Sequence, residues 1–136
     1  MACRLKSNLL MSESIICARA FEFGCRVMEL SERLWQRGPA ARHIASELMR
    51  CGPSVGANAE EAQDGQTKAD FIAKLAISRK ESRESRYWLR VAIRLKKVTK
   101  EEIAWELNEA GELRAICRGD QNRASISDAW NAERAL

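Results

Sequence analysis

TKADFIAKLAISRKESRESRYWLRVAIRLKK, the stretch from Thr67 to Lys97, contains neither glycine nor proline. Those two residues are the strongest punctuation in a chain, so a run this long without either predicts an unbroken helix. Its start is marked as well. Thr67-Lys68-Ala69-Asp70 is a capping box with Asp in the usual Glu place, in which the threonine hydroxyl accepts a backbone N–H that the first turn leaves unpaired. Phe71, Leu75, Ser78, Ser82, Ser85 and Leu89 recur at alternating steps of four and three, which sets them on one face. At ~1.5 Å per residue the helix would be roughly 45 Å long. Helices draw most of their stability from packing such a face, so this one needs partners of similar length.

Working outward, the partners are legible. Downstream, Thr99-Lys100-Glu101-Glu102 is a second capping box, followed by the stripe Ile103, Leu107, Ala110, Leu113 and Cys117. Gly119 is the expected stop. Upstream, Ala40 to Asp64 carries Ile44, Leu48, Cys51, Val55, Ala59 and Ala62. That stripe keeps its phase through Gly52-Pro53 and predicts one helix with a kink, because a proline removes one backbone N–H and crowds the preceding turn. Glu13 to Arg37 carries Ile16, Ala20, Phe23, Val27, Leu30 and Leu34, and Gly38-Pro39 ends it. Four long amphipathic helices joined by short loops must run antiparallel to their neighbours. The expected architecture is an all-α, up-down-up-down four-helix bundle over residues 13–119. A flexible lead-in over 1–12 and a tail or short extra helix over 120–136 would flank it.

Composition agrees and excludes alternatives. The chain has 136 residues, 46% apolar and 31% charged, with only 7 Gly and 2 Pro. That is one domain, and it has too few turn residues for a β-sandwich or barrel. The 5 cysteines (Cys3, Cys17, Cys25, Cys51, Cys117) are odd in number and form no C-x-x-C pair, which argues against a disulfide framework or a zinc site and for buried thiols in a reducing cytosol. No apolar run approaches the ~20 residues of a membrane span, and the N-terminus lacks a secretory signal, so a cytoplasmic protein without membrane contact is expected. His43 is the only histidine. No phosphate-binding loop, dinucleotide fingerprint or H-E-x-x-H is present, and Glu60-Glu61 lacks the Glu-x-x-His partner of di-iron bundles. A non-enzymatic protein with no cofactor and no metal is expected.

The formal net charge is +4, but its distribution says more. Residues 1–67 hold 8 basic and 8 acidic side chains, 68–100 hold 11 and 3, and 101–136 hold 4 and 8. Within the third helix, Arg79, Arg83, Arg86, Arg90, Arg94 and Lys97 fall within about 80° of one another and form a stripe roughly 27 Å long. Like charges at these spacings repel by ~0.2–0.5 kcal/mol per pair. An uncompensated row is tolerable if an anion meets it, and the planar Arg fork suits phosphate. Opposite the stripe, Trp88, Leu95, Ala92 and Glu81 point toward the expected core, with Glu84 at the edge. A carboxylate there must be paired, and Arg50, His43 or Asn58 of the second helix are within its expected reach. Glu81, Glu84 and Asn58 are thus read as structural buried polar residues.

Several segments carry a resemblance: Phe21-Glu22-Phe23; Ser54-Val55-Gly56-Ala57-Asn58-Ala59-Glu60-Glu61-Ala62; Lys68-Ala69-Asp70-Phe71-Ile72; and Lys80-Glu81-Ser82-Arg83-Glu84-Ser85-Arg86-Tyr87-Trp88-Leu89. Over roughly residues 15–118 the chain resembles the bacterial four-helix-bundle family of 23S rRNA intervening-sequence proteins, and distantly the accessory variability protein of diversity-generating retroelements. Cys51-Gly52-Pro53 stands where relatives would carry Ser-Gly-Thr. The resemblance implies a homo-oligomer, a pentameric ring. From the retroelement branch it implies a partner in RNA or DNA and in a reverse transcriptase.

Two functions compete. In the first, Arg79, Arg83, Arg86, Arg90, Arg94 and Lys97 contact nucleic-acid phosphates without reading sequence. In the second, a protein-interaction scaffold, the same row pairs with Glu101, Glu102, Glu106 or Glu109 of a neighbouring subunit. An enzyme would need a water-accessible pocket around Glu81, Glu84 and His43.

Overall fold

The computed structural model describes the backbone over residues 2–126 and side chains over 15–125. Four helices follow in order: α1 (Ala2–Trp35), α2 (Pro39–Gln63), α3 (Lys68–Arg94) and α4 (Ala104–Ile126). No strand occurs among the described residues. Each helix packs on its two neighbours in the cyclic order α1, α2, α3, α4, so the fold is the expected all-α four-helix bundle.

The periodic stripes become the core. Ile16, Phe23, Leu30 and Leu34 of α1, Ile44 and Leu48 of α2, Leu75 and Leu89 of α3, and Leu113 of α4 are fully buried, with Ile103 just before α4. Helix starts and stops follow backbone chemistry. Pro39 takes the first position of α2, where its missing N–H would be unpaired anyway. Thr67 Oγ1 accepts the Asp70 N–H at 3.1 Å, as the capping box requires. α3 ends in a left-handed residue, Lys96 at φ 58°, with the Lys97 N–H donating to the Ala92 carbonyl at 2.9 Å. This is the paired closure that usually employs glycine.

α2 continues through Pro53 as one helix. Close packing on α1 holds it there. A Cβ at Gly52 would sit 2.5 Å from Cγ1 of Val27, and one at Gly56 would sit 3.2 Å from the Ala20 carbonyl. Only glycine lets these two helices approach so closely. The α2–α3 seam is narrowed differently, by Ser78, Ser82 and Ser85, all fully buried. Ser78 Oγ donates to the Val55 carbonyl at 2.6 Å across the seam, while Ser82 and Ser85 donate to carbonyls one turn back.

Three expectations are corrected. The lead-in over 1–12 is helical from Ala2 onward. Thr99 does cap Glu102, at 3.1 Å, but residues 100–103 form turns and the regular helix starts at Ala104. Gly119 does not stop α4, which runs to Ile126. An interior glycine costs a helix only ~1 kcal/mol, and tertiary bonds hold this turn: Gln121 Nε2 donates to the Ile72 carbonyl at 3.0 Å and Lys68 Nζ to the Ser125 carbonyl at 3.3 Å. The rest of the expected tail, 127–136, lies outside the described residues.

Candidate nucleic-acid interface

The serine seam turns one face of α3 inward, and Arg79, Arg83, Arg86, Arg90 and Arg94 run in a line about 100° around the helix from it. Arg83, Arg90 and Arg94 are exposed, and Arg79 and Arg86 are half-buried. None of the five forms an ion pair among the described residues. Lys97 does not continue the row. The helix has ended, and Lys97 lies at the end of the bundle, where its carbonyl accepts Arg37 Nη1 at 2.7 Å and its Nζ lies beside Gly38. The row is therefore five arginines over about 22 Å. Tyr87 stands beside them, 55% exposed, with its ring edge-on to Trp88 at 5.2 Å.

α4 adds cations that a segment-wise charge count hides, because that segment is net acidic. Arg114 and Arg118 lie one turn apart on its exposed side. Together with Ala76, Arg79, Lys80 and Arg83 they line a hollow of about 450 Å³ between α3 and α4. Among the described residues that lining carries five cations and no carboxylate. A second hollow of about 350 Å³, lined by Arg86, Lys100, Leu107, Asn108, Gly111 and Glu112 among others, lies along the same two helices. The usable signal in the sequence was the i,i+4 spacing of Arg114 and Arg118, not the net charge.

Two acidic residues of α4, Glu106 and Glu109, face the other way, whereas Glu112 lines the second hollow. Glu109 holds Arg19 through two bonds, at 2.6 and 2.9 Å. Glu106 accepts Arg26 Nε at 3.2 Å, and the Arg26 guanidinium lies 4.0 Å over the Trp105 ring. Just before α4, Glu102 takes two bonds from Arg37, at 2.9 and 3.2 Å. Hydrogen bonding from Arg37 is the main cause that holds the Glu102 carboxyl below the ordinary range, and the same pair raises Arg37. Hydrogen bonding to Glu109 likewise raises Arg19. Glu102, Glu106 and Glu109 are thus occupied within their own chain. Of the acids proposed to meet a neighbour's stripe, Glu101 alone has no ion pair among the described residues.

On the α2 side, Arg50 gathers Glu47, Glu81 and Glu84. Of the three partners expected for Glu81, namely Arg50, His43 and Asn58, Arg50 forms the ion pair, but the burial differs. Glu81 and Glu84 keep side-chain exposures of 13% and 29%, so they rim the α2–α3 seam and do not enter the core. Asn58 is also half-buried and bonds one turn back to Ser54. Leu95, expected inside, is 48% exposed because the helix closes around it. Trp88 is half-buried and meets the exposed His43 edge-on at 5.4 Å. The buried carboxylates are instead Glu106, Glu109 and Asp120.

Among the cysteines, Cys51 and Cys117 are buried and Cys25 is exposed, so the expectation of buried thiols holds for the first two. Burial pushes the Cys51 thiol up to about 11, and it accepts the Ser85 hydroxyl at 3.2 Å. No cluster of metal-ligating side chains occurs among the described residues, and no described helix is long and apolar enough to cross a membrane.

A family model described as 23S rRNA-intervening sequence protein matches residues 12–119. The chain belongs to that family. Among solved structures it is similar to a protein of unknown function from the S23 ribosomal protein family of Bacteroides thetaiotaomicron VPI-5482, at 30% identity and a TM-score of 0.76. The match covers 82% of this chain and 98% of that one. No curated protein matches the chain. The resemblance read over roughly residues 15–118 is thereby established for the family and its fold.

Proposed function

We propose that this intervening-sequence family member is a non-enzymatic, cytoplasmic protein that self-associates and binds nucleic acid through phosphate contacts made by the α3 arginine row. One observation carries the reading: five arginines share one line on a rigid helix, and none has a carboxylate partner among the described residues. Guanidinium groups presented this way suit phosphate oxygens and read backbone before bases. The family's name connects it with an insertion in 23S rRNA, which makes RNA the first polymer to try. The competing scaffold reading is weakened because Glu102, Glu106 and Glu109 already hold arginines of their own chain.

Self-association has its own support. Phe21, Met28 and Trp35 recur every seventh residue along α1 and are 64%, 40% and 42% exposed. A seven-residue apolar spacing is what a helix presents to another helix. The pentamer and the reverse-transcriptase partner are carried over from the resemblance alone.

The test is fluorescence anisotropy of a labelled 20-nucleotide single-stranded RNA with the full chain. Binding at about 50 mM salt should weaken as salt rises, with a log–log slope near −3.5 if five phosphates are contacted at ~0.7 each. Undetectable binding, or binding indifferent to salt, would remove the proposal.

A further inference from the structure

We infer that the seam between α3 and α4 is a phosphate trough, in which Arg114 and Arg118 of α4 face Arg79, Lys80 and Arg83 of α3 across a hollow that takes the sugar–phosphate backbone of a single strand. This rests on the nucleic-acid reading above and gives it a shape. A convex row touches a strand from one side. A hollow with cations on both walls encloses it.

The register of the two helices comes from three bonds that cross the seam. Lys68 meets Ser125 at 3.3 Å, Gln121 meets Ile72 at 3.0 Å, and Cys117 meets Ser78 at 3.6 Å. Continuing that antiparallel register sets Arg114 abreast of Arg79 and Lys80, with Arg118 about one turn toward the α3 N-terminus and Arg83 about one turn beyond. The cations therefore succeed one another in steps of ~6 Å along the seam. At about 450 Å³ the hollow is the size of a small-ligand pocket. Such pockets run ~300–1,000 Å³, room for a short length of sugar–phosphate backbone. With no carboxylate in its described lining, nothing inside the hollow neutralises the five charges, and gathering them without an anion is unfavourable.

The second hollow continues the path past Arg86 to Lys100 and Asn108. Gly111 sits on its wall, and a Cβ there would meet no atom within 4 Å. A side chain at this position projects into open space. It can obstruct the path with no change of charge, and it replaces a residue that weakens helices.

The experiment uses the full chain and the same labelled 20-nucleotide RNA, beside a duplex of equal length, with circular dichroism confirming the fold of every variant. Arg114→Ala/Arg118→Ala should weaken single-strand binding about tenfold or more and reduce the salt slope by about 1.4, two contacts at ~0.7 each. Gly111→Leu should weaken single-strand binding severalfold without altering the salt slope. The wild type should prefer the single strand to the duplex. Arg90→Ala/Arg94→Ala, on the row beyond the hollow, separates the two ideas. If that variant loses affinity while Arg114→Ala/Arg118→Ala and Gly111→Leu bind like wild type, the row binds RNA and the trough is wrong. If the wild type binds no RNA, both are overturned.

Discussion

α4 has two long sides, and they treat charge in opposite ways. Toward α1, Glu109 and Glu106 are buried and each holds an arginine, with Glu102 and Arg37 extending the series at the end of the bundle. Toward α3, Arg114 and Arg118 meet further cations across an open hollow. The first side accounts for its own charge inside the chain and so belongs to folding. The second leaves its charge unmet and so is available to something else. Net charge conceals this, since the α4 segment is acidic overall and still forms half of a basic wall.

The contrast should break most sharply at the open side. Arg83→Glu/Arg114→Glu should reduce RNA affinity more than ~100-fold, since each change removes a phosphate contact and adds a repulsion, while urea unfolding shifts little. The opposite pattern is expected on the closed side. Arg19→Ala strands the buried Glu109 carboxylate and should cost about 2 kcal/mol of stability in urea, with RNA affinity unchanged in anisotropy. Were both variants to lose binding and stability together, the two sides would not be separable. A smaller effect tests the edge of the open side: Tyr87→Ala should weaken single-strand binding roughly fivefold, about 1 kcal/mol, if a base stacks on that exposed ring.

The smallest effect concerns pH. Glu102 titrates below its ordinary range when folded, so its pairing stabilises the protein above the unfolded carboxylate value and that contribution is lost as pH falls through the lowered folded value. Water screens this exposed pair, so the loss should stay well below 1 kcal/mol. Denaturant titrations of wild type and Glu102→Gln between pH 7 and pH 3 should converge at the acid end.

Much of the fold could be read from the chain because helices announce themselves locally. Every apolar stripe read on α1 and α2 is buried, and Thr67 caps α3 as its box implied. Features decided by tertiary contact could not be read that way. Gly119 passes inside α4 because Gln121 and Lys68 tie that turn to the rest of the bundle. Lys97 leaves the arginine row because α3 closes at Lys96, where glycine would have signalled the stop and lysine did not. Arg114 and Arg118 were missed since a trough belongs to two helices at once, and a pass along one helix at a time sees only half of it.

Lys96 and Gly111 also have a practical side. One is an L residue held at φ 58°, the other a glycine inside a helix with empty space where a methyl would go. Each choice is worth ~1 kcal/mol against its better alternative. Lys96→Gly and Gly111→Ala therefore offer an engineered margin of robustness, obtained without disturbing any ion pair of the α1–α4 seam. Because Gly111 lies on the wall of the second hollow, Lys96→Gly alone is the background in which heavily charge-reversed variants would be assayed for binding. The pair serves where only folding is measured.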